Sequence, residues 1–295
     1  MTKQLVFVHG RAQEHKDSVA LKAEWVGAFR KGLAKSGLSL PVAEDAIHFP
    51  YYGDTLYDLV SGKPPDEVAE IIVRGDNAEE TERAFVRSVI QEIQQRVGIT
   101  DAQLASVAGD DVLAKGPLNW EWLQGVLKAI DQYVPGASGA SIAIATNDVY
   151  QYLQNIGIRN QIESGVRKAM LSGIPSVVVA HSLGTVVAYN LLRREGMQNR
   201  WIVPTIVTLG SPLAVKAIKK SLAPNKHPEC AATWFNAMDE RDVVALYPLD
   251  AEHFPISPAI VNKRDVENDT ENRHGISGYL SDQEVARRIH DAIVG

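Results

Sequence analysis

The sequence predicts an α/β fold, in which a mostly parallel central sheet is flanked by helices. Short apolar runs typical of buried strands alternate with longer segments whose apolar residues recur every three or four positions. The β-branched run of Val177, Val178 and Val179 suits a strand that is buried on both faces of a parallel sheet. Near the N-terminus, strand, helix and strand follow one another, which is the order that right-handed crossovers give to a parallel sheet.

Length and composition limit the class of protein. The chain has 295 residues, of which 45% are hydrophobic and 22% charged, so it can bury the core of one large α/β domain spanning residues 1–295. Its formal net charge of −6 argues against general nucleic-acid binding, which would show as a basic excess. Cys230 is the single cysteine, which excludes an intramolecular disulfide and a cysteine metal cluster.

The N-terminus bears on the expected location of the protein. Met1 leads within a few residues into a strand, without the apolar stretch of a signal peptide. The sequence also lacks a long apolar run, so it predicts no membrane span. We therefore expect a cytoplasmic protein.

The first elements alternate regularly. Residues 5–8 form an apolar run that predicts a short buried strand ending in a turn at Gly10. Residues 18–36 carry apolar side chains about four positions apart and predict a helix. Residues 42–49 predict a second strand, and residues 50–54 its exit loop.

The alternation stops between residues 56 and 141. Residues 62–65 are rich in proline and glycine and predict a loop, whereas residues 77–97 and 118–133 are amphipathic and predict helices. Proline and glycine break the second helix at residues 134–139. Since the strands resume afterwards, we interpret residues 56–141 as a helical insertion within the domain.

The remaining elements restore the α/β pattern. Residues 147–171 supply one or two helices before the valine strand. Further strands are predicted at residues 201–209 and 232–238 and, more weakly, near 259–262. The last helix begins near Ser281, which forms the S-x-x-E pattern of a capping box with Glu284.

A strand-to-helix corner is the most informative stretch of the sequence. The valine strand ends at Ala180, a helical pattern begins at Thr185, and Ser182 lies between them with Gly184 beside it. A sharp corner needs small residues because neighbouring backbones crowd it. It would leave the Ser182 hydroxyl exposed above the sheet, at the positive end of the following helix. A serine that merely caps the helix is the alternative.

This corner resembles the nucleophile elbow of the α/β-hydrolase superfamily, written G-x-S-x-G, with Ala180 in the first glycine position as in some lipases. The T-L-G-S-P-L run that starts at Thr208 is similar to the segment after the next strand in lipases of this group. The resemblance covers the N-terminal strand and loop and the region from about residue 147 onward. It implies the α/β-hydrolase fold, in which a helical insertion commonly forms a lid; a helical layer that only packs on the sheet is the alternative.

The resemblance also implies a base. A serine hydroxyl is a weak nucleophile that needs an imidazole and a carboxylate, which the superfamily carries in the order serine, acid, histidine. The histidines after Ser182 are His227, His253, His274 and His290. His290 falls inside the last helix, and His227 and His253 lie in loops close to the expected acid. His274 lies between the last strand and the last helix, where the superfamily carries its base.

The acid is expected after the penultimate strand. The segment from Trp234 resembles the W-x-N-x-x-D-x-x-D-x-V-A pattern of some lipase-like and phospholipase-like hydrolases, in which the second aspartate is the triad acid. This points to Asp242, with Asp239 as the alternative, although Asp239 could equally cap the turn. Asp250 and Asp265 are more distant alternatives.

Two N–H donors must hold the oxyanion of such a reaction. The resemblance implies the backbone amide of Leu183, directly after the nucleophile, and that of Arg11, which follows the His9-Gly10 pair after the first strand. We interpret His9 itself as a structural residue that ties this loop.

The sequence therefore predicts a serine hydrolase that cleaves carboxylic esters, with lipid or other apolar acyl esters favoured as small-molecule substrates. Glycine-rich phosphate loops, dinucleotide fingerprints and metal-ligand spacings are missing from the sequence, so no cofactor and no metal are expected. An acyltransferase, a thioesterase or an amidase would use the same triad. A binding protein that kept the fold without turnover is the alternative outside the enzymes.

Overall fold

One sheet of six parallel strands forms the centre of the protein in a computed structural model, which describes residues 3–10, 17–53, 65–75 and 79–295. The strands are β1 (Gln4–Val8), β2 (Ile47–His48), β3 (Ser176–His181), β4 (Val203–Leu209), β5 (Ala231–Ala237) and β6 (Val261–Lys263). Their order is β2-β1-β3-β4-β5-β6, and each neighbouring pair is parallel. The predicted class, a mostly parallel sheet with flanking helices, is confirmed.

Helices cover both faces of this sheet. Those outside the long segment between β2 and β3 are α1 (Ser18–Ala34), α9 (Leu183–Glu195), α10 (Lys216–Ser221), α11 (Ile276–Leu280) and α12 (Gln283–Val294). The described residues between β2 and β3 form α2 (Pro65–Arg74), α3 (Glu80–Val97), α4 (Asp101–Ala108), α5 (Asp110–Lys115), α6 (Trp120–Tyr133), α7 (Gly139–Gln154) and α8 (Ile156–Ala169).

Alternate residues of the central strands face opposite layers, as the two-residue period of a strand requires. On β3, Val177 and Val179 belong to the core that the sheet shares with α1 and α12. Val178 and Ala180 belong to the core on the other face, which includes α9 and the helices between β2 and β3. Both faces of β3 are therefore buried, which explains its unbroken apolar run.

The strand order creates a crevice between β1 and β3. The chain passes from β1 to β2 on one side and reaches β3 on the other side of β1. In parallel α/β sheets, ligands bind outside the carboxyl ends of the strands at such a reversal. Gly10 follows β1 and Ser182 follows β3, so this topology alone places both residues at the crevice.

Two predicted elements were wrong in detail. The strand expected over residues 42–49 is reduced to β2, because Glu44–Ala46 form a turn of 3₁₀ helix that takes the backbone out of extended conformation. The capping box expected from Ser281 is not formed. Asp282 caps α12 instead, and its carboxylate accepts the N–H groups of Glu284 and Val285, each at 2.9 Å.

The helical segment is richer than predicted. The helices expected over residues 77–97 and 118–133 correspond to α3 and α6, and the break at 134–139 is confirmed. Helices α2, α4 and α5 were missed, and α7 begins earlier than residue 147. Residues 54–64 and 76–78 lie outside the described residues, and with them most of the expected loop at 62–65. The single domain and the insertion or lid over residues 56–141 stay predictions.

A helix that spans a membrane must be both long and apolar. None of the described helices combines the length and the apolar character that a membrane span needs.

Candidate active site

The corner between β3 and α9 holds Ser182 in a strained backbone conformation. Ser182 has φ 55° and ψ −130°, which residues with a Cβ rarely adopt. Gly184 keeps the corner tight, because a Cβ there would overlap the carbonyl oxygens of Val8 and His9. A glycine at position 184 is therefore required by the close approach of α9 to the end of β1 and the residue after it.

The loop after β1 passes directly beside Ser182. A Cβ on Gly10 would lie 2.7 Å from the Ser182 Cβ and 3.1 Å from its Oγ. The expectation that the hydroxyl stands exposed above the sheet is wrong, because Ser182 is only 7% exposed. It lies at the edge of a pocket that residues of the helical segment help to enclose.

Ser182, His274 and Asp242 form one hydrogen-bonded chain. The Ser182 Oγ lies 2.8 Å from His274 Nε2, and His274 Nδ1 lies 2.7 Å from Asp242 Oδ2. An ionised carboxylate only accepts hydrogen bonds, so His274 Nδ1 carries the proton and Nε2 presents its lone pair to the serine hydroxyl. The structure thus brings together the three side chains that the sequence singled out.

The Asp242 carboxylate is buried and fully hydrogen-bonded. Its Oδ1 accepts the N–H groups of Val244 at 2.8 Å and Ala245 at 3.3 Å, and its Oδ2 accepts His274 Nδ1 and the Tyr279 hydroxyl. Burial would raise the pKa of this carboxyl. The charge that His274 can carry and the hydrogen bonds of His274, Tyr279 and Val244 outweigh burial and hold the pKa below its ordinary value.

Tyr279 and Gly210 belong to the site, although the sequence analysis gave them no role. The Tyr279 hydroxyl donates to Asp242 Oδ2 at 2.6 Å and accepts the N–H of Asp239 at 3.2 Å. Burial and then the Asp242 charge raise its pKa well above the ordinary value, so it stays a donor. Gly210 has φ 56°, and a Cβ there would lie 3.1 Å from His274 Cε1 and 3.2 Å from Asp242 Oδ2.

Asp239 has a different set of partners. Its Oδ1 accepts Arg241 N at 2.8 Å and Arg241 Nε at 2.9 Å, and its Oδ2 accepts Arg241 Nη2 at 2.7 Å and Asn268 N at 2.9 Å. Burial would raise the pKa of Asp239, but these bonds outweigh it and hold the pKa below its ordinary value. The carboxylate closes a turn, and Asp242 is the aspartate that bonds to His274.

The remaining candidates bond elsewhere. Among the histidines, His227 Nδ1 lies 3.1 Å from the Pro228 oxygen, and His253 Nδ1 lies 2.8 Å from Asp250. His290 Nδ1 lies 3.1 Å from Asp291. The carboxylate of Asp265 accepts Lys263 at 2.8 Å. None of these bonds reaches the chain of Ser182, His274 and Asp242.

His181, the residue before Ser182, contacts both the backbone carbonyl and the ring of His274. Burial and then the charge that His274 can carry lower the pKa of His181 to about 3, so its ring is neutral. His181 Nε2 lies 2.7 Å from the carbonyl oxygen of His274, which only accepts, so Nε2 carries the proton and donates. The two rings lie 4.7 Å apart. The sequence predicted no role for His181, because its partner is distant in sequence.

His9 ties the loop after β1 to the chain after β2. Its Nε2 accepts the N–H of Tyr52 at 3.1 Å, so its Nδ1 carries the proton and donates to the Gly10 oxygen at 2.7 Å. The Tyr52 hydroxyl donates to the His9 oxygen. Burial lowers the pKa of His9 to about 4, and the ring is neutral. These bonds confirm the interpretation of His9 as a structural residue.

The two expected oxyanion donors have different outcomes. Leu183 is buried and begins α9, and the first N–H groups of a helix lack an intrahelical acceptor. Its amide is therefore placed to donate next to Ser182. Arg11 lies outside the described residues, so its assignment stays a prediction.

A mostly apolar pocket opens at Ser182. Among the described residues, Val89 and Ile93 of α3 and Ile142 and Val149 of α7 form part of its wall, with Leu183 beside the serine. A hydroxyl, an imidazole and a buried carboxylate in sequence can transfer a proton next to an apolar binding space.

Comparisons with protein-family models, with curated proteins and with solved structures gave no match for this chain. The function is therefore inferred from the site itself.

Proposed function

We propose that this protein is a serine hydrolase of the α/β-hydrolase type that cleaves carboxylic esters through an acyl-enzyme. The observation that carries the proposal is the continuous chain from Ser182 Oγ through His274 to Asp242, with distances of 2.8 and 2.7 Å. A nucleophile bonded to a base that a third group orients is the geometry of covalent acyl transfer.

Each residue of the chain has one task in this reaction. The Ser182 Oγ attacks the ester carbonyl carbon while its proton passes to His274 Nε2. The tetrahedral intermediate collapses, the bond to the alcohol oxygen breaks, and His274 gives its proton to that oxygen. Water then attacks the acyl-enzyme by the same route and releases the acid. Asp242 keeps the proton on His274 Nδ1 and stabilises the imidazolium that forms twice in the cycle.

The negative oxygen of the intermediate needs donors that are already in place. The Leu183 amide at the start of α9 serves as one donor, helped by the positive end of the helix. The amide of Arg11 serves as the second. His9 supports this assignment, since its bonds to Gly10 and Tyr52 hold the chain just before Arg11.

The support for an apolar acyl substrate comes from the pocket at Ser182. Its walls include aliphatic side chains of α3 and α7, so the helical segment contributes to substrate binding. The crevice at the carboxyl ends of β1 and β3 is where parallel α/β sheets carry their sites, which agrees with an active site at this position.

Labelling with a fluorophosphonate tests the proposal directly. The wild-type protein should become covalently labelled at Ser182, and Ser182→Ala should lose both the label and the hydrolysis of p-nitrophenyl esters. Ser176→Ala is the matched control, because Ser176 is a buried serine at the opposite end of the same strand. It should keep the label and the activity.

The outcomes separate the alternatives. An unlabelled but folded wild-type protein would contradict the proposal and favour a binding protein. Turnover to the free acid in water without an added acceptor identifies a hydrolase, whereas turnover that requires an added alcohol or amine identifies a transferase.

A further inference from the structure

The pocket at Ser182 is placed to receive the acyl side of an ester. Ser182 and Leu183 both line it, and these residues supply the nucleophile and an oxyanion donor in the proposed function, on which this inference rests. A carbonyl carbon attacked by Ser182, with its oxygen at the Leu183 amide, therefore lies next to the pocket, so its acyl chain can occupy this space.

The pocket is small. The cavity volume is ≈ 40 Å³, whereas pockets for drug-sized ligands measure about 300–1,000 Å³. A pocket this far below that range suits a short acyl chain and not a long one.

The walls resist widening. Val89, Ile93, Ile142 and Val149 are β-branched, and β-branched side chains in a helix are largely restricted to one χ1 rotamer. All of them are buried and packed in the same hydrophobic core. Along this wall, rotamer changes offer a longer or branched chain little extra room.

The polar residues Thr146 and Asp148 add little polar surface to the wall of the pocket. The Thr146 hydroxyl donates to the Ile142 oxygen within α7 at 2.8 Å, so its one donor is already used. Asp148 is completely buried, so it adds no surface to the part of the pocket that water can reach. The accessible wall is therefore mostly apolar and selects by length and shape.

We infer that this pocket makes the protein selective for esters of short, unbranched acyl groups. Butanoyl and pentanoyl esters fit this description, and long-chain lipid esters do not. The side chain of Ile142 helps to set the limit, because it forms part of the wall of the pocket on α7.

The first test is a series of p-nitrophenyl esters from acetate to dodecanoate. We expect kcat/KM to peak at butanoate or pentanoate and to fall at least tenfold by octanoate, since one methylene in an apolar pocket changes kcat/KM by about 10–200-fold. The 2,2-dimethylpropanoate ester should be a poorer substrate than pentanoate by at least tenfold. A kcat/KM that stays level or rises through dodecanoate would overturn the inference.

Two isoleucines of α7 provide a matched pair of variants. Ile142 lines the pocket, whereas Ile144, two residues away, packs with Val68 and Ile72 in a separate cluster. Both are buried, with 3% and 6% exposure. Ile142→Ala should raise the ratio of hexanoate to butanoate kcat/KM about tenfold, and Ile144→Ala should leave this ratio within twofold of wild type. An equal shift in both variants would overturn the assignment of the wall.

Milder variants cover the case in which either alanine variant fails to fold. Ile142→Val and Ile144→Val remove one methyl group each and disturb the core less. The first should still shift the optimum toward the longer ester, and the second should not. A protein that neither hydrolyses any ester of the series nor takes the phosphonate label contradicts the proposed function, and a labelled enzyme without a short-chain optimum contradicts only this inference.

Discussion

Two fully buried carboxylates, Asp242 and Glu163, show how similar surroundings support different tasks. The side chains of both have 0% exposure, and both accept a tyrosine hydroxyl, from Tyr279 at 2.6 Å and from Tyr152 at 2.7 Å. Asp242 lies at the end of the sheet next to Ser182, whereas Glu163 lies on α8 among helices.

The difference is the positive partner. Glu163 accepts Arg167 Nη2 at 2.6 Å and Arg194 Nη1 at 2.8 Å, and a guanidinium does not release its proton in proteins. Asp242 has no arginine or lysine partner within the part of the chain that the structure describes, and instead bonds to His274. A carboxylate held by arginines fixes the packing of helices. A carboxylate that faces an imidazole leaves a proton that can move.

The largest expected effect separates Asp242 from its neighbour. Asp242→Asn should lower kcat about 10⁴-fold, because an asparagine amide can stabilise the wrong tautomer of His274 and carries no charge for the imidazolium. Asp239→Asn is the control, since Asp239 bonds to Arg241 and not to His274. It should lower kcat less than tenfold. Steady-state kinetics on a p-nitrophenyl ester measure both, and the reverse ranking would move the triad acid to Asp239.

Glu163→Gln should give the opposite result. Removing one partner of a buried ion pair costs about 3–5 kcal/mol, and we expect the lower end because the side chains of Arg167 and Arg194 are 30% and 35% exposed. The free energy of unfolding, measured by urea denaturation, should fall by about 3 kcal/mol. The kcat/KM of the folded protein should stay within twofold of wild type. A catalytic loss as large as that of Asp242→Asn would abolish the distinction between the two clusters.

The features that the sequence predicted and the structure shows are marked within short stretches of chain. The corner at Ser182 needs a buried strand, a helix and the close approach at Gly184, and all three leave marks within a few residues. The choice of Asp242 and His274 came from the positions that the resemblance implies, and the structure brings both to Ser182.

The site contacts that the sequence did not predict join residues that are distant in the chain. Tyr279 reaches Asp242 and His181 reaches the carbonyl of His274 only after the strands are assembled, so the sequence near each residue carries no mark of the contact. Among the missed helices, α4 and α5 span only 8 and 6 residues, which is too short to reveal a helical period. The shortened β2 depends on the turn at Glu44–Ala46, which competes with extended structure.

Lowering the pH should reduce the free energy of unfolding through two buried histidines near Ser182, and this effect is smaller than those of the substitutions above. The pKa values of His9 and His181 are lowered by burial to about 4 and about 3, both from 6.5, and both residues lie at the Ser182 end of the sheet. Between these values and 6.5 the unfolded chain binds more protons than the folded one, so the free energy of unfolding falls as the pH is lowered. Each histidine should remove about 1 kcal/mol between pH 6.5 and 5.5.

His181→Phe tests this expectation, because it removes one of the two titrating rings. Urea denaturation at pH 6.5 and 5.5 should show a loss of unfolding free energy that is about 1 kcal/mol smaller in the variant than in wild type. The absolute stability of the variant does not enter, since only the change with pH is compared. Glu163→Gln should keep the wild-type pH dependence over this range, because the arginines of that cluster stay charged. An unchanged slope in His181→Phe would mean that His181 is not held neutral beside the triad.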